Sequence, residues 1–277
     1  MDRRPLLLLG ANSLVAHWLL PRLAAAGWQA LTVGRSASAM HRADLGRPDT
    51  LNALPAAGHA ISLAPLWLLP AALPALRQSG VRRLLAFGST SAVGKAASPD
   101  AKERAVAQRL AEAEAALFAA AAEAGIAVTL FRPTLIYDGL RDGNVARLAA
   151  LLGRWHLLPL VGGGRGLRQP VHADDLAVAC LQALEASTSH GRRYDLPGGE
   201  TLSYKEMARR IAAARGIRAW LPTVPAWLAR ALFAVARRLP GFTDISLGMV
   251  LRPAQDLVFD GTPAQRDFGY APGLFRP

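Results

Sequence analysis

Pro5-Leu6-Leu7-Leu8-Leu9-Gly10-Ala11-Asn12-Ser13-Leu14-Val15-Ala16 decides the fold. An unbroken apolar run stops at a glycine. Small and polar residues follow. From Ser13 to Ala26 the apolar side chains then take helical spacing, with Leu14, Leu19, Leu20 and Leu23 on related faces and Gly27 as the stop. A strand apolar on both faces is a strand covered on both faces, which is the habit of parallel sheets. The sequence thus reads strand, tight turn, helix. In such a sheet the first strand-to-helix turn is where a phosphate binds, because the helix N-terminus offers free N–H donors. Gly10 permits the turn. Ser13 and Ala16 are small enough for close approach of backbone to a pyrophosphate, with Asn12 and Leu14 between them. Ser13 and Ala16 stand where glycines are usual, so the position after a first strand carries this reading more than the spacing does.

The alternation continues. Trp28–Val33 reads as a second strand, Leu45–Leu54 as a weaker helix and Ala60–Leu63 as a third strand followed by a Pro-interrupted helix. Val81–Phe87 is a fourth strand, 99–124 a long helix closed by Gly125, and Ile126–Phe131 a fifth strand. Strands alternating with helices predict an α/β doubly wound parallel sheet. After Pro133 the rhythm changes. We expect a dinucleotide-binding domain over 1–137 and a smaller, mostly helical lobe over 138–277, interleaved with late sheet elements around 168–196.

With 277 residues, 52% hydrophobic and 19% charged, the chain can bury a core and is not disordered. One cysteine, Cys180, excludes a disulfide scaffold. The start lacks a signal peptide pattern, and the uncharged stretch 60–76 is broken by Pro65, Pro70 and Pro74. A cytoplasmic protein is the expectation. The six histidines show no metal-ligand spacing, so no metal is expected. The net charge of +12 comes from scattered arginines, only Lys95, Lys102 and Lys205 being lysine, and no basic run exceeds two residues. That pattern argues against nucleic acid. Pro225 to Leu239 has helical spacing with Arg230, Arg237 and Arg238 toward one side, so a peripheral membrane contact through 225–239 stands beside the ordinary packing of such a helix. Oligomeric state is not written in the sequence.

Val33-Gly34-Arg35-Ser36 ends the second strand without the carboxylate that would hold a ribose diol. Arg35 could instead pair with a 2′-phosphate, which favours NADP, with NAD as the alternative; a plain surface arginine is the competing reading.

Several pieces in order resemble the extended short-chain dehydrogenase/reductases of the NAD-dependent epimerase/dehydratase group. They are Gly10-x-x-Ser13-x-x-Ala16, Ala43-Asp44-Leu45, Ser62-Leu63-Ala64, Phe87-Gly88-Ser89-Thr90-Ser91, Phe131-Arg132-Pro133, and Arg168 through Ala177. The resemblance covers residues 5 to about 206, with a weaker match at 267–272. It implies that Asp44 and Leu45 meet the adenine, that Leu63 and Ala64 line the cofactor and that Pro133 sits near the nicotinamide. It further implies that Thr90 bonds the reacting oxygen, with Ser89 and Ser91 beside it, and that Arg168 reaches a substrate diphosphate. The implied ligand is a nucleotide-sugar or another phosphorylated small molecule.

The group's Tyr-x-x-x-Lys pair is absent. The positions that match it are Val106 and Leu110, and Leu135 stands where a substrate-binding Asn is usual. A lysine can lose its charge on desolvation where arginine cannot, so Lys95, just past the Ser-Thr-Ser run, is a candidate replacement acid. Tyr137 is a second, placed to meet substrate. An atypical NAD(P)-dependent enzyme and a non-catalytic NADP-binding subunit both remain open. The latter resembles the dyad-lacking branch that includes an accessory subunit of respiratory complex I.

Overall fold

The apolar run becomes β1 (Arg4–Leu9), whose last four residues are buried. Helix α1 (Leu14–Ala25) follows, its start fixed by Ser13, whose Oγ accepts the Ala16 N–H at 3.2 Å. Next come β2 (Trp28–Gly34), the two-residue β3 (His41–Arg42), β4 (His59–Ser62) and α2 (Leu69–Gln78). Then follow β5 (Arg83–Phe87), the single turn α3 (Ser91–Gly94), α4 (Ala101–Ala124) and β6 (Ala127–Pro133). Asp100 caps α4 through the Lys102 N–H, and Gly125 ends it in the left-handed conformation. The structure, a computed structural model, describes residues 4–229, 231 and 252–277.

The second half gives β7 (Ile136–Tyr137), α5 (Val145–Trp155), β8 (Leu160–Val161), β9 (Leu167–Arg168), β10 (Val171–His172) and α6 (Ala173–Glu185). It continues with β11 (Arg192–Leu196), β12 (Leu202–Ser203), α7 (Tyr204–Ala214), β13 (Thr223–Val224) and α8 (Thr262–Phe268). The main sheet is parallel and seven-stranded, in the order β3-β2-β1-β4-β5-β6-β11. The order reverses between β1 and β4, and ligands of such sheets bind beyond the strand ends at that point. One face is covered by α1 and α6 and the other by α2 and α4, each with its own buried cluster. The doubly wound sheet expected from the sequence is therefore the fold. A third cluster joins α5 to α7 in the smaller lobe.

One expectation is corrected. The helix predicted over Leu45–Leu54 is a single 3-10 turn, Pro48–Leu51. There the Thr50 hydroxyl satisfies the Arg47 and Asp44 carbonyls and holds a local turn instead of a helix. The smaller lobe is expected to be mostly helical, and of its last sixty residues 230 and 232–251 lie outside the described residues. Among the described ones only a turn from Ala226, the 3-10 turn Arg252–Ala254 and α8 are helical. The predicted helix 225–239 opens at Ala226, and its residues from 232 lie outside the described residues. Finally, no helix among the described residues is long and apolar enough to cross a membrane; the 60–76 stretch is β4 and the Pro-bearing α2.

Candidate functional site

Two chain crossings build the site at the switch point. The turn after β1 crosses the turn after β4 so closely that a Cβ on Gly10, which has φ +81°, would lie 2.8 Å from the Ala64 nitrogen. The turn after β5 meets the end of β6, where the Gly88 N–H donates to the Phe131 carbonyl at 2.8 Å. Beside these turns opens a cleft of about 470 Å³. Ser13, Leu14 and Val15 line it together with Leu63 and Ala64. Leu66, Phe87, Gly88, Leu110 and Pro133 add a mostly apolar floor, and Arg141 to Asn144 a further wall.

The phosphate-side residues fit a dinucleotide. No carboxylate lies in the first turn of α1, so its N–H groups face an environment open to an anion. Ala16 is fully buried, which lets the helix pack onto β1, and Asn12 stands exposed on the turn. At the end of β4 the Ser62 hydroxyl is 1% exposed and has no hydrogen-bond partner among the described residues. Buried orphan hydroxyls are rare and ask for a ligand or water. Arg35 is exposed beyond β2, again with no partner among the described residues. Asp44 follows β3 and is half-buried; its Oδ1 accepts the Gly46 N–H at 2.9 Å, which spends one oxygen on the local turn. Leu45 packs on the core rather than lining the cleft.

The substrate-side residues are arranged differently from the expectation. Thr90 is buried, and both its N–H and its Oγ1–H donate to the Pro133 carbonyl, at 3.2 and 3.1 Å. Its hydroxyl is committed to backbone. Ser89 accepts the Ser91 N–H at 3.1 Å, and neither these two serines nor Lys95 lines the cleft. Lys95 closes the short helix α3. Arg168 is 3% exposed, and its Nη1 donates at 2.6 Å to the Leu167 and Gln255 carbonyls. Its guanidinium also lies over the Tyr204 ring at 5.5 Å. It ties two segments of the lobe together and does not reach the cleft. Tyr137 is equally withdrawn: its ring meets His172 and Phe275, and its oxygen accepts the Arg276 N–H at 3.0 Å. Burial raises the pKa of its phenol.

The cleft's unexpected feature is the 138–144 loop. Asp142 is 6% exposed. Its Oδ2 accepts the Asp138 and Gly139 N–H groups at 3.3 and 3.1 Å, and its Oδ1 those of Asn144 and Ala146 at 2.9 and 3.0 Å, together with Val145. It caps α5 and closes the loop at once. Asp138 answers it by accepting from Leu140 and Arg141 at 2.9 and 2.7 Å. Burial works against the Asp138 carboxylate, yet these donors hold its pKa below the ordinary range. The result is a stiff wall that brings Arg141 to the cleft, where its charge also helps to hold the Asp138 pKa down. The signal was present in the sequence as two aspartates bracketing a turn with glycines at 139 and 143. Asp142→Ala removes the capping carboxylate and should cost about 2 kcal/mol. Thermal melting checks the stability, and protease sensitivity confined to 138–146 checks the place.

Of the two positions expected to match the Tyr-x-x-x-Lys pair, Leu110 lines the cleft and Val106 is exposed one turn earlier on α4. One turn further, Glu114 is 2% exposed and pairs with Arg132 through both carboxylate oxygens, Nε lying 2.9 and 3.0 Å away. This pair stands behind the cleft floor, where a Cβ on Gly88 would meet Glu114 Oε1 at 3.3 Å. Asp174 and Asp175, in the first turn of α6, are structural. Asp174 binds Arg22 at 2.5 and 2.6 Å, and Asp175 accepts the Gly273 N–H at 3.1 Å. Among the described residues no cluster of His, Cys, Asp and Glu could hold a metal ion.

Residues 71–196 match the model of the NAD dependent epimerase/dehydratase family, which bears out the resemblance drawn from the sequence. The chain is 36% identical over 72 residues to dTDP-glucose 4,6-dehydratase of Streptomyces griseus, covering 26% of this chain and 22% of that protein. It is 32% identical over 101 residues to the mitochondrial NADH dehydrogenase [ubiquinone] 1 alpha subcomplex subunit 9 of Arabidopsis thaliana, covering 36% of this chain and 25% of that one. The chain thus spans about a quarter of the length of these curated relatives. The fold is that of UDP-glucose 4-epimerase from Thermotoga maritima, with a TM-score of 0.74 at 16% identity over 98% of this chain and 94% of that one.

Proposed function

From a chain whose residues 71–196 match the NAD dependent epimerase/dehydratase family, we propose a protein that holds NAD(P) at the β1–β4 switch point, NADP in preference, beside a nucleotide-sugar or other phosphorylated small molecule. The observation that carries this reading is the mixed lining of one cleft of about 470 Å³. Ser13, Leu63 and Ala64, from the turns after β1 and β4, offer a cofactor side, and the 138–144 loop adds Arg141–Asn144 to the same lining. A nicotinamide, when bound, supplies hydride exchange. The chain's own residues supply position and exclusion of water: Leu66, Phe87, Leu110 and Pro133 make the floor apolar. Arg141 takes the phosphate-facing role that the resemblance had suggested for Arg168, because it is a cation lining the cleft whose guanidinium makes no hydrogen bond among the described residues. With the Thr90 proton given to Pro133, Ser89 Oγ, next to Gly88, keeps a proton free to donate.

Calorimetric titration with NADPH and NADH in parallel tests this reading. Tight NADPH and weak NADH binding is the expected result, and binding of neither sinks the oxidoreductase reading. Arg35→Ala should weaken NADPH by about tenfold to a hundredfold and leave NADH unchanged, the size of one charge-assisted hydrogen bond. An equal loss for both cofactors would remove Arg35 from the 2′-phosphate.

Leu110 favours a second reading, a cofactor-holding protein without turnover. A leucine cannot move a proton, and it stands where the family's lysine would hold the ribose and lower a tyrosine pKa. A cofactor-loaded sample that leaves a panel of nucleotide sugars unchanged by NMR supports it; conversion of any of them restores the catalytic reading.

A further inference from the structure

The charge of the chain is unevenly laid out. Residues 143–173 carry four arginines and no Asp or Glu, and residues 207–243 carry seven arginines and no Asp or Glu. Almost the whole net charge of +12 thus falls on two stretches of the smaller lobe. The described parts of these stretches are neighbours in space. Helix α5 buries Val145, Leu148, Ala149 and Leu152, and this face packs on α7. Past the ends of these helices, Leu157 bridges Trp220, and the Trp220 N–H donates to the His156 carbonyl at 2.8 Å.

What this arrangement leaves outward is apolar and basic together. On α5, Arg147, Leu151 and Trp155 recur every four residues and so share one stripe. Leu151 is 42% exposed and Trp155 61%. Trp220, on the neighbouring strand-like segment, is 69% exposed. Arg154 extends its guanidinium to 5.2 Å from the Trp155 ring. Neither Arg147 nor Arg218 has a hydrogen-bonded or ion-paired partner among the described residues, and both are exposed. Exposed tryptophans flanked by unpaired arginines, with no carboxylate in either stretch, match the interfacial layer of a bilayer. Indole rings favour that layer, and anionic headgroups attract cations.

We propose that this face, centred on Leu151, Trp155 and Trp220 and rimmed by Arg147, Arg154 and Arg218, docks the protein on an anionic membrane surface. The reading is independent of the cofactor cleft. It also moves the membrane contact suggested by 225–239 onto residues whose exposure is known. Charge decides against a second copy of the chain, since two such faces would repel each other. Leu151 beside the two indoles on a convex helix face suits an acyl–headgroup boundary, whereas single-stranded nucleic acid calls for stacking platforms along a basic groove.

Flotation of the full chain with phosphatidylcholine vesicles, with and without phosphatidylglycerol, tests the proposal. The chain should float with the anionic vesicles, stay behind with the neutral ones, and be released by high salt. Brominated lipid should quench its tryptophan fluorescence. Trp155→Ala with Trp220→Ala should lower the partition by about tenfold or more, and so should Arg147→Glu with Arg154→Glu and Arg218→Glu. The melting temperature and NADPH titration of each variant serve as folding controls. If a variant fails to fold, salt release and bromine quenching of the unaltered chain still decide. No flotation, equal flotation with neutral vesicles, or flotation that survives both sets of substitutions in folded protein overturns the proposal. So does binding to single-stranded RNA that these arginines control without any vesicle binding.

Discussion

Glu114→Ala is expected to destabilise the protein by about 3 kcal/mol or more, a fall of about 10 °C in melting temperature for a chain of this size. Glu114 is 2% exposed, and Arg132, at the end of β6, uses its guanidinium fork on both carboxylate oxygens. The carboxylate holds the Arg132 pKa above its ordinary value. Arg193 adds a longer contact at 3.9 Å, and Asp195 sits 4.0 Å from Arg132 on the far side. Removing Glu114 leaves a half-buried arginine facing only Asp195, whose own charge is opposed by burial. The cost of breaking such a pair exceeds the net worth of having it. The double change Glu114→Leu with Arg132→Met should therefore recover much of the loss, because neither half of the pair is left without the other, and only Asp195 loses a longer contact at 4.0 Å. If the double variant melts as low as the single one, packing of Glu114 rather than its charge is what α4 needs. Glu114 lies one turn from Leu110, so the single variant should also loosen the cleft floor and weaken NADPH binding.

The parts of this fold that were legible in the sequence are those fixed by neighbours along the chain. The apolar run into Gly10 and the Gly125 stop need only a few adjacent residues, and each stands where the sequence put it, while Ser13 and Asp100 turn out to cap the helices that follow. The proposed cofactor side of the cleft follows from these, because a strand, a turn and a helix start are local objects. The opposite side was not legible. Whether an arginine faces substrate or core depends on partners far away in sequence: Arg168 is turned inward by the Gln255 carbonyl, 87 positions further on. Arg141 is turned outward by the way Asp138 and Asp142 exchange backbone donors. The Leu45–Leu54 helix failed for a local reason that propensity hides, since the Thr50 hydroxyl competes for carbonyls that a helix would have used. The missing relay pair was legible because it is an absence at a fixed spacing, and the structure adds that Leu110 faces the cleft while Val106 does not.

Gly10→Ala should nearly abolish NADPH binding, by about a hundredfold or more, while Gly27→Ala should not change it. The two glycines form a matched pair. Their φ angles are +81° and +78°, so an alanine at either pays a similar cost for the left-handed conformation, about 1 kcal/mol. Around Gly27 nothing lies within 4 Å of an added Cβ. At Gly10 the Cβ would meet the Ala64 nitrogen at 2.8 Å and the Leu63 carbonyl carbon at 2.9 Å. Those neighbours are backbone and cannot rotate aside, so the turn after β1 would have to lift off the turn after β4. That movement displaces Leu63 and Ala64 on one side and the start of α1 on the other, which together form the cofactor side of the cleft. Binding that relies on close backbone approach is lost with such a shift, because each N–H donor moves away from its phosphate oxygen at once. Calorimetry on both variants, with melting curves alongside, separates the terms: Gly27→Ala reads the conformational cost alone, and the excess at Gly10 reads the crossing of the two turns. Equal NADPH affinity in both variants would mean that the pyrophosphate does not lie over this crossing, and the proposed cofactor site would have to be moved.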